Sequence, residues 1–514
     1  MDGKSDVLHD LLFERHWLQQ LQQQRYEFSV KQAFCVAAVT VVTWSLWSFI
    51  YNLYFHPLAK YPGPFWARAS LFWRIWNSLG GRFHRKIQEG HRKYGDVFRV
   101  GPSELSFVTP TAAKAIYGQW PVGKPPIVKA GWYEMLGAGF AESCLATEKD
   151  PKIAVRKRAL FTPTLSNKAL CEQEELIQSC AGAWIEKLGK LGSGPDGLDL
   201  RKWYNIFSFE IFGKLAFGEP FGCIENENTL QWMDILGDHL FAISLMDNLR
   251  RIPIVLAAAK CIPSTWTLSN PYFGIEIWTL TQYSRLSLGE QKDFMSVCVD
   301  KVLKGEVSQE EMAAHCRTLL IAGGETTATA MTATTHYLLN SPECLEKLKQ
   351  EIRERFSSLD EITIASTAKL PYLRAVIKEG LRIFPVGAIG FPRISPGMTV
   401  DGCYVPRGTE FYVSYWAETH DERYFHEPYT FKPERWIDPN CKDVKEASLP
   451  FSNGPRSCPG KDFAYAQMSL ELSVLFLMYD LELVKPGLDW EDACRTHFLW
   501  YKPELKVRLH RRRI

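Results

Sequence analysis

From Ala33 to Phe55 the sequence AFCVAAVTVVTWSLWSFIYNLYF carries no charged residue. At about 1.5 Å of rise per residue, a helix of this length crosses the roughly 30 Å hydrocarbon core of a bilayer. Lipid offers the backbone no hydrogen-bond partners, so an isolated segment there must be helical. Trp44, Trp47, Tyr51 and Tyr54 crowd the C-terminal half, where an interfacial aromatic belt belongs. The run therefore predicts one transmembrane helix over 33–55, preceded by a mostly polar N-terminal segment over 1–32. A buried core helix is the competing reading, and the polar flanks suit it less well. No small-residue cleavage site follows the run, so it is expected to be retained rather than removed as a signal peptide. Lys60, Arg68, Arg74, Arg82, Arg85 and Lys86 after the run outnumber Arg25 and Lys31 before it, which orients the body of the chain toward the cytoplasm.

Next comes HPLAKYPGPF, in which Pro57, Pro62, Gly63 and Pro64 forbid helix continuation and predict a stiff linker over 56–64. The remainder, 65–514, exceeds the roughly 250–300 residues usual for a single core. It shows neither a repeat nor a second linker. Helical periodicity dominates from about 165 to 385. Short strand-like runs occur at Val97–Val100, Ser106–Val108, Thr399–Val405 and Glu410–Ser414. The expectation is one large, mainly α domain with small β-sheets, of α+β type. A formal charge of +2 gives no footprint for nucleic acid.

Thirteen cysteines are scattered without C-x-x-C or zinc-like spacing, so a disulfide framework is not expected and the natural compartment is reducing. One of them has distinctive neighbours. In Phe451-Ser-Asn-Gly-Pro-Arg-Ser-Cys-Pro-Gly460, a Gly/Pro turn, an arginine and Cys458 directly precede a helical pattern. Pro459 suits a first helical turn, and Phe463, Ala466, Leu470, Val474 and Leu477 follow on one face. Cys458 is thus expected at a helix N-terminus, where free N–H groups favour a thiolate. Gly454 and Gly460 allow close backbone approach to a flat group, Arg456 can pair with an anion, and Phe451 can screen the sulfur. A buried structural cysteine in a tight turn is the bland alternative.

Glu311–Leu339 reads as a long helix interrupted at Ala322-Gly-Gly-Glu-Thr-Thr327, because each glycine lowers helix propensity by roughly 1 kcal/mol. An open turn is expected there, with the Glu325 carboxylate and the Thr326 hydroxyl side by side; a kink at a helix crossing is the alternative. In the amphipathic run Leu373–Phe384, Glu379 and Arg382 share a face and can pair. An exposed pair is the commoner outcome of that spacing.

Together these segments resemble the cytochrome P450 family. Phe451, Gly454, Arg456, Cys458 and Gly460 match its F-x-x-G-x-R-x-C-x-G signature at every defined position. Ala322–Thr327 is similar to its A/G-G-x-D/E-T-T motif, Glu379 and Arg382 to E-x-x-R, and Phe431-Lys-Pro-Glu-Arg-Trp436 to its P-E-R-F region. The linker resembles those of microsomal fungal members that act in secondary metabolism. The resemblance implies haem b with Cys458 as axial ligand, Thr326 as hydrogen-bond donor to dioxygen, and Glu325 as proton relay. It further implies a buried brace of Glu379, Arg382 and Arg435 that fixes the haem loop. Arg393, and less clearly Arg158, would face the haem propionates; Ala154 stands where the family's W/H-x-x-x-R pattern has an aromatic or histidine.

No flavin or nicotinamide fingerprint occurs, so the implied electron source is a separate NADPH-cytochrome P450 reductase. The implied reaction is hydroxylation or epoxidation of a lipophilic small molecule, of terpenoid, alkaloid or polyketide type, at the endoplasmic reticulum membrane. Two alternatives stay open: a haem-thiolate rearrangement enzyme that needs no reductase, and a non-catalytic haem-binding protein. Position alone places the substrate walls at about Pro121–Leu145, near Ile321 and Ala322, at Val386–Phe391 and at Phe498–Trp500. Lys152, Arg156 and Lys157 form a basic cluster that either faces an electron donor or is simply solvated, and Arg511, Arg512 and Arg513 a solvated tail.

Overall fold

The computed structural model describes residues 31–512, except 33–34, 121–122, 138–139, 219, 229–230, 253–254, 256–300, 488 and 498. Most of the segment 1–32, the start of the expected span, Pro121 and Phe498 of the expected substrate walls, and Arg513 therefore lie outside the described residues.

Helix α1, Cys35–Phe55, carries the apolar run, with a mean hydropathy of 1.4. Val36, Val39, Leu46 and Trp47 are each at least 60% exposed, which no core helix would tolerate. Its last turn, Tyr51–Phe55, widens to π geometry. There Asn52 Nδ2 donates to the Ala69 carbonyl at 3.0 Å, and Arg99 Nη1 donates to the Asn52 carbonyl at 2.7 Å. The helix is thus tied directly to the body of the protein. The expected linker is a packed segment rather than a spacer: Leu58 and Tyr61 are buried, and Tyr61 Oη donates to the Tyr404 carbonyl at 2.6 Å. Its proline-rich sequence stops the helix, while its apolar residues find a core.

Eight further helices frame the site: α2 (Phe72–Leu79), α3 (Phe83–Tyr94), α4 (Pro151–Phe161), α5 (Leu200–Phe217), α6 (Gln231–Leu249), α7 (Gln309–Leu339), α8 (Pro371–Ile383) and α9 (Lys461–Met478). The strands are β1 (Val97–Gly101), β2 (Glu104–Phe107), β3 (Val128–Lys129), β4 (Leu198–Asp199), β5 (Arg393–Ile394), β6 (Met398–Val400), β7 (Cys403–Val405), β8 (Glu410–Val413), β9 (Tyr479–Leu483), β10 (Arg495–Thr496), β11 (Trp500–Tyr501) and β12 (Lys506–Arg511). Their largest sheet has the order β1-β2-β8-β5-β3, and a smaller one β4-β12-β9. Mainly helical architecture with small sheets is as the sequence predicts. The run Thr399–Val405, however, is the β6–β7 hairpin and not one strand. Asp401 and Gly402 adopt φ of +47° and +75°, the left-handed pair that a two-residue turn requires.

α7 starts at an N-cap, the Ser308 hydroxyl accepting from the Glu311 N–H at 3.0 Å, and continues unbroken through Gly323 and Gly324. The expected interruption is absent. The glycines instead admit two rings of α5: a Cβ on Gly323 would lie 2.6 Å from Phe212, and one on Gly324 2.2 Å from Phe209. Close helix packing, not backbone strain, selects glycine here.

Parallel pairing of β2 with β8 sets Glu104 beside Glu410. Such like charges need cations. Arg74 on α2 meets Glu104 at 2.7 Å and Asp247 on α6 at 2.8 Å, while Arg251 meets Glu104 at 2.9 Å and Glu410 at 2.5 Å. Burial opposes ionisation of Glu104, yet Arg74 and Arg251 hold its carboxyl below the usual range. The cluster binds α2 and the end of α6 to the central sheet, so Arg74 in the folded protein is an internal ion rather than a juxtamembrane surface charge.

Candidate active site

The segment Phe451–Gly460 folds as a tight loop before α9. Ser452 and Gly454 take positive φ of +58° and +69°, and the Cys458 N–H returns to the Phe451 carbonyl at 2.9 Å. A Cβ on Gly454 would strike the Tyr117 carbonyl at 2.3 Å, so this glycine serves the packing of the loop on Tyr117–Gly118. One on Gly460 would sit 4.0 Å from Cys458 Sγ. The Phe451 ring lies half-buried, 5.3 Å from that of Tyr465. Helix α9 begins at Lys461, which leaves Pro459 and Cys458 ahead of its first turn rather than in it.

Cys458 is accessible at its surface, in a loop whose residues are half-buried or exposed, although the neighbouring protein desolvates its thiol. Burial pushes its thiol up, against the Gly460 N–H and the Arg158 charge. The protein alone therefore does not favour a thiolate there, contrary to the helix-terminus expectation; a bound cation opposite the sulfur would. Arg158, on α4, donates from Nη1 to the Ser457 carbonyl at 2.5 Å. It clamps the cysteine loop and so differs from the other expected anion ligands. The ten other cysteines among the described residues are also free thiols.

Three buried or half-buried cations gather near this loop: Arg456, Arg393 and Lys129. Arg456 Nη2 donates to the Lys149 carbonyl at 3.2 Å, while its buried Nη1 has no acceptor among the described residues. Trp120 Nε1, two residues beyond Gly118, is likewise buried without an acceptor among them. Arg393 donates to Tyr133 Oη and lies 5.2 Å over the Tyr117 ring. Lys129 on β3 donates to the Leu145 and Ala146 carbonyls at 3.0 and 2.7 Å. Burial, then the charges of Arg456 and Arg393, push the Lys129 ammonium down to about 7. Such a concentration of positive charge with idle donors fits an anionic group. Lys129 and Tyr133 fall within the expected substrate wall Pro121–Leu145, and nothing in the sequence ties them or Trp120 to residue 456.

Along α7, Ala322 is exposed and Thr326 half-buried in a helix otherwise largely enclosed, and Thr326 Oγ1 donates back to the Ala322 carbonyl. Glu325, one residue earlier and so about 100° around the helix, is buried and paired with Lys502. The acid and the hydroxyl thus point to different surroundings rather than lying side by side.

Glu379 and Arg382 are fully buried, joined at 2.7 and 2.9 Å, and Arg435 Nε reaches Glu379 Oε1 at 3.0 Å. Glu379 also accepts from the Lys432 N–H at 3.1 Å and from Trp436 Nε1 at 2.9 Å. Arg382 donates to the carbonyls of Thr419 and Pro428, each at 2.8 Å. The exposed-pair alternative does not hold. These bonds fasten α8 to residues 419–436, the segment leading toward the cysteine loop.

A cavity of about 50 Å³ brings Trp132, Gly387–Phe391 and His497 against Ile243 and Ser244 of α6. Two of the expected wall segments, Pro121–Leu145 and Val386–Phe391, therefore meet, and His497 lies just before a third. Trp500 does not line it: its Nε1 donates to the Pro385 carbonyl at 3.0 Å and its ring packs 4.2 Å from Phe384, in the core. Of the expected basic cluster, Lys157 is buried between Glu148 and Glu311, each at 3.4 Å, and Arg156 pairs with Glu311 at 3.1 Å. A different cationic group surrounds Lys378, whose ammonium is lowered by burial and by Arg374, Lys445 and Lys461. Arg374 and Lys461 are exposed, and Lys461 stands three residues after Cys458.

The family model described as Cytochrome P450 matches residues 60–509. The chain is 44% identical over 470 residues to Cytochrome P450 monooxygenase ORF9 of Penicillium roqueforti (strain FM164), covering 90% of this chain and 91% of the relative. It is 43% identical over 489 residues to Cytochrome P450 monooxygenase BOT4 of Botryotinia fuckeliana, covering 93% and 91%. Cytochrome P450 monooxygenase astD of Aspergillus oryzae (strain ATCC 42149 / RIB 40) is 34% identical over 471 residues, with 90% and 91% covered.

Proposed function

The chain belongs to the cytochrome P450 family and is a monooxygenase, and from that premise we propose that Cys458 holds a haem b iron while the enzyme oxygenates a lipophilic small molecule. The observation that carries this is the accessible Cys458 beside a cation cluster in which Arg456 Nη1 has no acceptor among the described residues. Haem, when bound, supplies the reductive activation of O₂. The overall balance is one O₂, NADPH and a proton consumed, one oxygen atom placed in the substrate and the other released as water.

This chain's residues then have distinct tasks. Cys458 would ligate the iron, Arg158 fixes the loop through Ser457, and Arg456, Arg393 and Lys129 would hold the haem carboxylates by charge-assisted bonds. Thr326 offers a hydroxyl proton on the accessible row it forms with Ala322. Glu325 exchanges protons behind that row. Retention of both side chains favours a monooxygenase over a reductase-independent rearrangement.

The exposed cations Arg374 and Lys461, with Lys378 and Lys445, suit docking of an acidic electron donor such as NADPH-cytochrome P450 reductase. The small cavity is lined by Trp132, Ile243 and Phe391 together with the ionic cluster of Arg74, Glu104, Asp247 and Glu410, so the family rather than this cavity implies the lipophilic substrate. We assign it to secondary metabolism, of terpenoid, alkaloid or polyketide type, consistent with the fungal relatives. Helix α1 serves as a single-pass anchor in the endoplasmic reticulum with the catalytic body cytoplasmic. Exposed Phe65, Trp66, Phe72 and Trp76 extend its aromatic surface onto the body, through the Phe49–Phe65 contact at 5.6 Å and the Trp66–Phe72 contact at 6.0 Å.

Expression with a reductase tests the reading. The reduced, carbon monoxide-treated protein should show the red-shifted thiolate band, and NADPH and O₂ should be consumed with a hydroxylated or epoxidised product. Cys458→Ser should lose the band; an unchanged band would assign the iron to another ligand.

A further inference from the structure

A larger cavity, of about 320 Å³, opens beyond the C-terminal end of α7. Small-molecule sites run from about 300 to 1,000 Å³. His336 and Asn340 come from the end of α7, Leu483 and Lys485 from the end of β9 and just past it, and Trp490 and Leu505 from the chain on either side of β11. None of the lining residues belongs to the cysteine loop, to the Ala322–Thr326 row or to the cation cluster around Arg456. His336 lies ten residues past Thr326, about 15 Å along the helix. Trp490, whose Nε1 donates to the Pro503 carbonyl at 3.1 Å, stacks on the His336 ring at 5.0 Å and, with Leu483 and Leu505, gives the cavity an apolar side.

The idle polar groups are donors. Asn340 Nδ2 lies 3.4 Å from His336 Nδ1, and burial pushes the imidazole down to about 4 despite the Asp489 charge. The ring is thus neutral, Nδ1 accepts from the amide, and Nε2 carries the proton. That Nε2–H has no acceptor among the described residues. Lys485 is exposed and forms no ion pair among them, while the Val484 N–H, bonded to the Lys506 carbonyl at 3.1 Å, fixes the backbone beside it. The one carboxylate in the described lining, Glu504, already has Lys506 at 3.5 Å, and Asp489 accepts from the Asp492 N–H at 2.8 Å.

We propose that this cavity is a second small-molecule site that binds an apolar monocarboxylate, with the carboxylate at Lys485 and the His336 Nε2–H and the apolar body against Leu483, Trp490 and Leu505. A charge and a hydrogen-bond donor without partners call for an anionic acceptor, while the apolar side gains from being covered by hydrocarbon. A neutral amide would leave Lys485 without a counter-charge. A dianion would meet Glu504, so a single negative charge fits best. The site shares no residue with the cysteine loop, and the inference goes beyond the monooxygenase reading without depending on it.

The probe is para-benzoylbenzoate, a photoreactive apolar monocarboxylate, with its uncharged amide as the comparison, offered to the haem-loaded full-length protein in phosphatidylcholine bilayers. After illumination, mass spectrometry of the digest should place the label in the peptides that carry His336–Asn340, Leu483–Trp490 or Pro503–Lys506. The amide should label these peptides about fivefold less, the upper value for one exposed charge pair. Lys485→Glu, which changes an exposed side chain, should lower labelling by the acid at least as much and leave labelling by the amide as in the parent. Leu483→Trp fills the cavity and should abolish labelling by both, with the carbon monoxide band of either variant as in the parent. Equal labelling by acid and amide, or labelling that both variants leave unchanged, overturns the proposal. So does label confined to α1, to the aromatic surface of α2 or to the cavity beside α6. A parent protein without the thiolate band would remove the haem reading and leave this site standing.

Discussion

Arg158 Nη1 and the Ser457 carbonyl, 2.5 Å apart, join α4 to the residue immediately before Cys458. A charge-assisted bond of this kind contributes about 1.5–3 kcal/mol. Arg158 also lowers a thiol that burial raises. Arg158→Ala should therefore weaken haem retention about tenfold or more and increase the fraction of protein whose carbon monoxide band is of the thiol type. Haem transfer to an acceptor globin and the reduced difference spectrum measure the two effects. Unchanged transfer would show that the loop holds its shape unaided.

Glu379 receives five hydrogen bonds in a site with no exposure. Replacing it with glutamine leaves the guanidinium group of Arg382 buried without its counter-charge, while Arg435 keeps only Asp443, at a cost of about 3–5 kcal/mol. Chemical denaturation should show that loss, with haem content falling in parallel. Lys86→Met, which breaks an exposed pair with Glu89, is the control and should cost under about 1 kcal/mol.

What the sequence makes legible is local. Glu379 and Arg382 are one helical turn apart, and the cysteine loop is contiguous, so spacing and residue type were enough to nominate them. Lys502, Lys129 and Tyr133 reach the site from distant strands and loops, and no periodicity links them to residues 325, 456 or 393. Lys157 shows the opposite failure. Three cations on one short helix suggest a docking face, yet acids from Glu148 and Glu311 draw Lys157 inside. Helix propensity also misled at Gly323 and Gly324, where the penalty of two glycines is outweighed by the packing of α5 against α7.

That packing is itself testable. A methyl group at residue 324 would lie 2.2 Å from the Phe209 ring, and the residue is enclosed. Gly324→Ala should gain helix propensity of about 1 kcal/mol, but overpacking of about 1–3 kcal/mol opposes it, so we expect a net lower thermal midpoint. Adding Phe209→Leu should restore most of the loss. A higher midpoint for the single variant would mean that α5 moves away at little cost.

Lys129 gives a pH dependence with a definite sign. Its ammonium is pushed down to about 7 from 10.5, first by burial and then by Arg456 and Arg393. Between these values the unfolded chain holds a proton that the folded protein has lost. The destabilisation from burying the charge is therefore complete below about 7 and is relieved as pH rises toward 10.5. For protein without haem, the denaturation midpoint should climb over that window by up to about 1.4 kcal/mol per pH unit from this group. Lys129→Met should remove that component. Carboxylates placed among Lys129, Arg393 and Arg456 reverse the argument, because an anion favours the charged amine. Haem added at pH ~8 should then be accompanied by proton uptake, measured with an indicator dye, that Lys129→Met abolishes. Equal uptake in both proteins would place the haem carboxylates away from Lys129.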